Sequence, residues 1–514
     1  MAISTLAGVA PAAAAAAPAG ATLRLPAVFG DHMVLQSGQP VPIWGWAPPH
    51  APVRVCFADQ CQTTVANAVG RWRVELAPLA PSAAASALVI EGAADQRLRL
   101  QDVLVGEVWL CSGQSNMALP VPETEGGAQA AADARAPLIR LLRVPERVAM
   151  EPQTDTEAAW TPATPASLAS FSAVGYYFAQ ELQRRSDTPV GVVQAAYGGA
   201  VCEAFLSPQT LQQPCWAPLR STWDRFVAEY PPTEQGRAQV AETRRQQLLA
   251  AGKVPPPWPL DPKPPDHFDR PGVLYNGMIA PLAPMAMAGV LWYQGEANGW
   301  RGHQYSQLLP ALIADWRAQW GRADLPFLFV QLPGFAADWL EPDIWPELRE
   351  AQLLTWQRVA RTAMVESIDV GDAQDLHPRR KREIGQRLAL AALATAYGRA
   401  VEFSGPVFRR LRMDGPCLRL TFDHAAGGLV CPDGEIAGFQ VAGADRQFRP
   451  ASARLEADTL VVWSTDVPVP VAARYGWTNA PVASLFNGAG LPASPFRTDA
   501  WPGITDDRVD PEPF

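Results

Sequence analysis

Residues 103–119 read Val-Leu-Val-Gly-Glu-Val-Trp-Leu-Cys-Ser-Gly-Gln-Ser-Asn-Met-Ala-Leu. An apolar run, Val103 to Cys111, stops abruptly in small and polar residues. Short apolar runs rich in Val and Trp, bounded by Gly and Ser, read as buried strands. The polar cluster Ser112, Gly113, Gln114, Ser115 and Asn116 then stands where a strand meets the next element. In open α/β sheets that is where ligands bind, outside the carboxyl ends of the strands. A Ser there serves as a nucleophile if a base reaches it. It serves equally well as a helix N-cap, and this stretch alone leaves both readings open.

Downstream of Val103, strand-like runs alternate with helical ones, which argues for a parallel sheet. The expected strands are 103–111, 138–144, 190–196, 289–294, 327–332 and 363–368. The clearest helix is 304–320. Tyr305, Leu308, Leu309, Leu312, Ile313, Trp316 and Trp320 form one apolar stripe at helical spacing, with Gly321 as C′ residue. A second helix over about 381–397 turns Ile384, Leu388, Ala392 and Leu393 inward.

Before this region, residues 22–101 read as a β-sandwich-like module. Val53-Arg54-Val55-Cys56-Phe57 and Trp72-Arg73-Val74-Glu75-Leu76 alternate, with turn residues between such runs. After it, Cys417–Phe422, 436–441 and Leu460–Trp463 predict a C-terminal β module over 401–475, followed by a tail, 476–514, packed back on the core. The central domain is expected over 102–400. Residues 207–272 interrupt it with a polar helical piece and a Pro-rich run, and such long insertions serve as lids or binding loops. We read the insertion as a wall of the substrate cleft, with aromatic residues such as Trp258 on it.

Composition narrows the class. The net charge is −9, and the one dense basic run, Arg379-Arg380-Lys381-Arg382, reads as a solvated helix start rather than a nucleic-acid site. No apolar stretch reaches the ~18 residues needed to span a bilayer. The seven Cys offer two pairs, Cys56–Cys61 across a short turn and Cys417–Cys431, and leave at least one unpaired. Without a C-x-x-C motif, zinc and redox chemistry are poor fits. The Ala-rich lead at 1–21 lacks a basic start yet ends in small residues like a cleavage region. We read it as a flexible or signal-derived lead and expect a periplasmic or secreted protein, with a cytoplasmic one as the alternative.

A serine hydrolase needs a base, an orienting acid and donors for the oxyanion. There are only six His, which makes the search short. His32, paired with Asp31, reads as a turn residue; His50, His267 and His424 sit in turns or the insertion, and His303 precedes the long helix. His377 differs. It lies in Asp369-Val-Gly-Asp-Ala-Gln-Asp-Leu-His-Pro378, after a strand and before a helix, on the rim expected for Ser115. Asp375, two residues away, could hold the imidazole from the same loop. Val193-Gln-Ala-Ala-Tyr-Gly-Gly-Ala200 ends a strand in Gly198-Gly199, where backbone N–H groups can approach a ligand or simply make a tight turn. Gly289-Val-Leu-Trp-Tyr-Gln-Gly-Glu-Ala-Asn298 delivers Gln294, Gly295 and Glu296 to that rim.

Taken in order, these blocks resemble one family. Gly106–Met117 is similar to the nucleophile block of the sialate O-acetylesterase-like carbohydrate esterases, a branch of the SGNH hydrolases. Phe29–Gln36, Val193–Ala200, Gly289–Asn298, Asp375–Leu388, Arg474–Trp477 and Gly490–Arg497 match as well, so the resemblance spans roughly residues 23–500. It implies an SGNH-type, flavodoxin-like α/β/α parallel-sheet core between N- and C-terminal β modules. It implies Ser115 as nucleophile, with His377 and Asp375 completing a triad. Many relatives space the last pair as Asp-x-x-His; here position 374 is Gln, which leaves Asp375, with Asp372 and Asp369 as fallbacks. The oxyanion donors implied are the N–H groups of Ser115 and Gly199, with Gly198 as alternative, and the Gln294 amide where the superfamily usually has Asn. Glu296 would buttress the serine loop, and Asn298 could take either role. Arg349 is family-like and could meet a sialate carboxylate or sit in a helical salt bridge. The Gly-x-Ser-x-Gly elbow of α/β-hydrolases is absent, since Met117 stands where the second Gly would be.

The resemblance implies deacetylation of a sialic acid or other O-acetylated sugar through an acetyl-serine, with no metal or organic cofactor. A plant hemicellulose such as xylan or xyloglucan is the alternative substrate. Acetyl transfer to a sugar and non-catalytic carbohydrate binding are the other readings. Oligomeric state is open.

Overall fold

A computed structural model describes residues 22–432 and 434–509. The lead at 1–21 lies outside the described residues. The long strand Arg97–Gly113 organises the chain. Residues 97–102 alternate between exposed and half-buried, and from Val103 onward nearly every residue is buried. That change marks where the strand leaves a one-faced antiparallel sheet and enters a sheet covered on both sides. The boundary expected at 101/102 therefore falls inside a continuous strand. Asp102, at φ 53°, marks the junction. Its carboxylate takes a bidentate contact from Arg140 at 2.6 and 3.1 Å and faces His32 Nδ1 at 2.7 Å. His32 is thus structural, but its partner is Asp102 and not Asp31, which caps the Gln101 N–H.

In the core sheet the strands lie in the order Thr362–Val365, Phe327–Val330, Gly289–Tyr293, Arg97–Gly113, Val190–Ala196, Ala136–Arg143 and Trp160–Ala163. Every pairing is parallel except that of the last strand. The four strands from 190, 289, 327 and 362 are buried at every residue, as parallel strands covered on both faces should be. Helices Ala173–Ser186 and Lys381–Thr395 cover one face, and Gly302–Gln319 and Trp345–Arg358 the other. This is the expected α/β/α core. The helix expected at 304–320 runs Gly302–Gln319 and stops before Gly321, at φ +63°.

The N-terminal module adds a two-stranded sheet, Val41–Trp46 with Arg71–Leu76, and a group of strands joined to the long strand, among them Val34–Gln36 and Ser82–Glu91. Cys56 and Cys61 form a disulfide. Cys417 and Cys431 do not pair, so the second expected bridge is corrected: both are free thiols.

The C-terminal module contains two four-stranded antiparallel sheets around Leu418, Val441, Leu460, Val462, Tyr475 and Phe496. Its last strand, Phe496–Arg497, pairs with Ala472–Tyr475, so strand pairing runs past the division expected at 475/476. Helix Trp345–Arg358 holds this end of the chain. Glu347 accepts from the backbone of Ile504 and Thr505, and Glu350 pairs with Arg497 at 2.7 Å. Arg349, fully buried, donates to the carbonyls of Leu332, Pro333, Thr478 and Asn479 at 2.6–2.9 Å. Burial pulls its guanidinium down to about 9, which leaves it charged at neutral pH. This overturns both roles expected for Arg349: a guanidinium committed to four backbone carbonyls neither meets a substrate carboxylate nor joins a salt bridge.

Arg349→Met should therefore destabilise the fold by roughly 2–4 kcal/mol, because buried carbonyls lose their donors. Urea unfolding measures this. A loss under about 1 kcal/mol, with turnover reduced only for substrates bearing a carboxylate, would restore the substrate-binding role.

Candidate active site

Three neighbouring strands end level. Ala196 and Tyr293 both lie in register with Gly113, one on each side. The turns that follow, at 114–116, 197–199 and 294–296, therefore meet at one point on the sheet's carboxyl edge. Gly113 has φ +132°, and a Cβ there would sit 2.1 Å from the Tyr293 carbonyl oxygen, so the position requires glycine. Gln114 stitches two of the turns together, accepting from the N–H groups of Gly295 and Ala297 at 3.2 and 3.3 Å.

Ser115 opens the short helix Ser115–Ala118, whose N-cap is Gln114. The capping reading of Ser115 is thereby removed. Its Oγ lies 2.8 Å from His377 Nε2, across 262 residues of chain. Both side chains are half-buried. Burial first, then the charge of Lys381, pushes the His377 imidazole below its ordinary value, while Asp375 and Glu123 pull the other way. A neutral imidazole at 2.8 Å can take the hydroxyl proton.

Asp375 stands in the histidine loop, but its Oδ1 accepts from the backbone N–H of His377 at 2.8 Å rather than from the ring. Here it shapes the loop and acts on the imidazole through its charge. The fallbacks do not serve. Asp369 is held bidentate by Arg387 at 2.6–2.7 Å, and exposed Asp372 caps the Gln374 N–H. Glu123, at the end of the turn Val121–Glu123, is an acid facing His377 that the sequence reading did not single out.

Of the two glycines, Gly198 is the nearer to Ser115: a Cβ on it would lie 4.0 Å from that of Ser115. A Cβ on Gly199 would instead meet the Phe268 ring at 3.6 Å, and its φ is +73°. Neither glycine N–H has a hydrogen-bond partner among the described residues. The Gln294 amide does not fit the expected oxyanion role. It is fully buried, and its Nε2 donates to Ala200 O at 3.1 Å and Asn298 Oδ1 at 2.7 Å, using both protons. Asn298 is equally committed, donating to Glu203 at 2.9 Å. Glu203 also pairs with buried Arg301 at 2.7 Å. Gln294 and Asn298 therefore brace the turns after two strands.

Behind the serine lies a second layer. Asn116, fully buried, donates to Glu296 Oε1 at 2.6 Å and to the Leu376 carbonyl at 3.0 Å, and accepts from Lys381 Nζ at 2.6 Å. Glu296 thus meets the serine loop, through Asn116. Burial pushes the Glu296 carboxyl up and pulls the Lys381 ammonium down to about 7. Lys381 does begin a helix, as its basic run suggests, but it is fully buried rather than solvated. Sequence pattern hides this, because its three Arg neighbours are exposed.

The insertion forms helices Ala217–Glu229 and Glu234–Ala250. Its far end returns to the site, where Phe268 stacks on Tyr197 at 4.8 Å beside the glycine turn. Trp258 is 39% exposed and packs edge-on against Trp339 at 4.6 Å. Among the described residues no cluster of three or more His, Cys, Asp or Glu is arranged to hold a metal ion, and no helix is long and apolar enough to cross a membrane.

The chain is similar to known proteins. The family described as "Carbohydrate esterase, sialic acid-specific acetylesterase" matches residues 265–394. The chain is 29% identical to sialate O-acetylesterase of Mus musculus over 93% of its own length and 94% of the relative's. It is also 29% identical to the Homo sapiens enzyme over 94% and 95%. A solved carbohydrate acetylesterase from Xanthomonas citri is 36% identical, with a TM-score of 0.80, covering 93% of this chain and all of the other. With that identity over the full length of a solved carbohydrate acetylesterase, the chain belongs to the carbohydrate acetylesterases.

Proposed function

We propose that this protein removes O-acetyl groups from a carbohydrate, with Ser115 as nucleophile and His377 as general base and acid. The observation that carries the reading is the 2.8 Å contact between Ser115 Oγ and His377 Nε2 at the carboxyl edge of the sheet. His377 takes the Ser115 proton as Oγ attacks the acetyl carbonyl carbon. The oxyanion is met by backbone N–H groups of Ser115 and the Gly198–Gly199 turn, the donors that remain once Gln294 is committed elsewhere. When the tetrahedral intermediate collapses, the bond between the acetyl carbon and the sugar oxygen breaks, and the His377 imidazolium gives its proton to that oxygen, so the sugar leaves as a free hydroxyl. Water, deprotonated by His377, then attacks the acetyl-serine, releasing acetate and restoring Ser115. Asp375 and Glu123 supply negative charge that stabilises the imidazolium formed in each half.

The relatives from mammals are named for sialate, and the solved bacterial relative for carbohydrate. With Arg349 committed to the backbone, its candidacy as a carboxylate anchor lapses. The choice between a 9-O-acetylated sialic acid and an acetylated hemicellulose rests on assay. The ring pairs Tyr197–Phe268 and Trp258–Trp339 support the insertion as a wall of the cleft that packs against sugar faces. The Cys56–Cys61 disulfide supports an exported enzyme in an oxidising compartment.

Acetate release from an aryl acetate, from 9-O-acetylated sialic acid and from acetylated hemicellulose fragments tests the reading. Ser115→Ala should lower release at least about a thousandfold in every case while leaving the melting temperature unchanged. Equal release by Ser115→Ala and wild type would overturn it, and no release by folded wild type would favour a binding protein. The preferred substrate identifies the glycan.

The same assay predicts a pH profile. The base acts neutral, and the fold pushes its proton affinity below the ordinary 6.5, so the neutral form persists to lower pH. The acidic limb of kcat/KM should have its midpoint below 6.5. A midpoint above that value, or a profile flat from about pH 4 to 8, would count against His377 as base.

A further inference from the structure

Lys381 differs from the rest of its basic run. Arg379, Arg380 and Arg382 are exposed, whereas Lys381 is withdrawn from water completely. Burying an ammonium is costly unless it is paired and hydrogen-bonded. Its Nζ sits 2.6 Å from Asn116 Oδ1 and 5.2 Å from the centre of the Tyr293 ring. An ammonium only donates, so the Asn116 atom it touches must be the oxygen. That fixes which end of the amide carries the protons, and both are then aimed, one at Glu296 and one at the Leu376 carbonyl. Asn116 follows Ser115 in the chain, and Leu376 precedes His377.

We propose that Lys381 is a positioning residue: by locking the Asn116 amide it holds the serine turn and the histidine loop at the separation that brings Ser115 Oγ to His377 Nε2. This rests on the esterase reading of that pair. The amide bridges the two loops through residues adjacent to each reacting group, so its rotation would loosen both. Misplacement of a reacting pair by about 1 Å can cost on the order of a hundredfold in rate.

Lys381 also acts on His377 through its charge. The groups that face His377 are Asp375 from its own loop, Glu123 from the turn at 121–123, and Lys381 from the helix start. Those that face Lys381 are Glu296 from the turn after strand 289–293 and Asp375. Of the charges around the imidazole, Lys381 opposes its protonation and the two acids favour it. Glu296, bonded to Asn116, supplies negative charge that favours the ammonium against its burial.

The test compares wild type with Lys381→Met, Lys381→Arg and Asn116→Ala, each checked for folding by its thermal melt. Kinetics use an aryl acetate, with Ser115→Ala as background. The His377 imidazole is titrated by NMR, its resonance assigned by absence in His377→Asn, a readout that needs no turnover. Lys381→Met should lower kcat by about 10- to 100-fold with KM changed less than about threefold. It should also raise the His377 midpoint by about 0.5–1 pH unit, since a like charge is gone. Lys381→Arg should restore the midpoint but only part of kcat. Asn116→Ala should lower kcat and leave the midpoint in place. Lys381→Met with kcat within about twofold of wild type and an unmoved midpoint would overturn the proposal. So would equal losses in Lys381→Met and Lys381→Arg with no shift in either, which is what a merely structural lysine gives. If wild type showed no Ser115-dependent release, the esterase reading would fall, and the NMR midpoint would still decide whether Lys381 reaches the imidazole.

Discussion

Gly113 is the point on which the site depends. Two parallel neighbours register on it, and no side chain fits between it and the Tyr293 carbonyl. Because three strands stop together there, three turns are forced into contact. The Ser115 turn, the glycine turn and the Gln-Gly-Glu turn are consequences of one sheet edge. The fourth component, His377, arrives from an edge strand ending at Val365 through a loop that must cross back over the sheet. That loop has no sheet register to place it, so side chains do so: Asp375 on its own backbone, Arg387 on Asp369, and Asn116 on Leu376.

Several polar groups around these turns are buried. Glu203 with Arg301, Arg349 with four carbonyls, and Asn116 with Lys381 are all at or near complete burial, and half-buried Glu296 bonds to Asn116. A buried ion pair such as Glu203–Arg301 adds little net stability compared with apolar residues of the same volume, yet removing one partner costs about 3–5 kcal/mol. The effect of these buried groups is to make alternative loop arrangements expensive. A site assembled from loops after separate strands needs that, since apolar packing alone is tolerant of small shifts.

The architecture was largely legible in the sequence. Buried parallel strands announce themselves as apolar runs, and the six expected between 103 and 368 formed within a few residues of their places. The helix stripe from Tyr305 to Trp320 and its Gly321 stop were equally plain. Junctions were not. The long strand changes from one-sided to two-sided burial in mid-course, and composition alone reads that as a domain boundary. The pairing of Phe496–Arg497 with Ala472–Tyr475 is long-range and leaves only a two-residue trace. Within the site, residue types were legible and their orientations were not. Gln294 and Arg349 sit on the right elements, but their donors point into the protein, a fact decided by partners at 200 and 298, and at 332, 333, 478 and 479. Lys381 was hidden by its exposed neighbours, and Glu123 by its distance in sequence from His377.

The chemistry asks little of the protein beyond placement. A serine turn, a base held below its ordinary proton affinity and a few backbone donors suffice for acyl transfer, and the remaining buried groups keep these within reach. The central claim is that Ser115 carries the acetyl group between the two halves of the reaction. The direct measurement is rapid acid quench of the enzyme with an aryl acetate, followed by peptide mass analysis. The account predicts one acetyl group on the peptide containing Ser115, formed and lost at rates consistent with turnover. Acetate released at the same rate with no acetyl group on Ser115 at any time, or with acetylation confined to another residue, would contradict it.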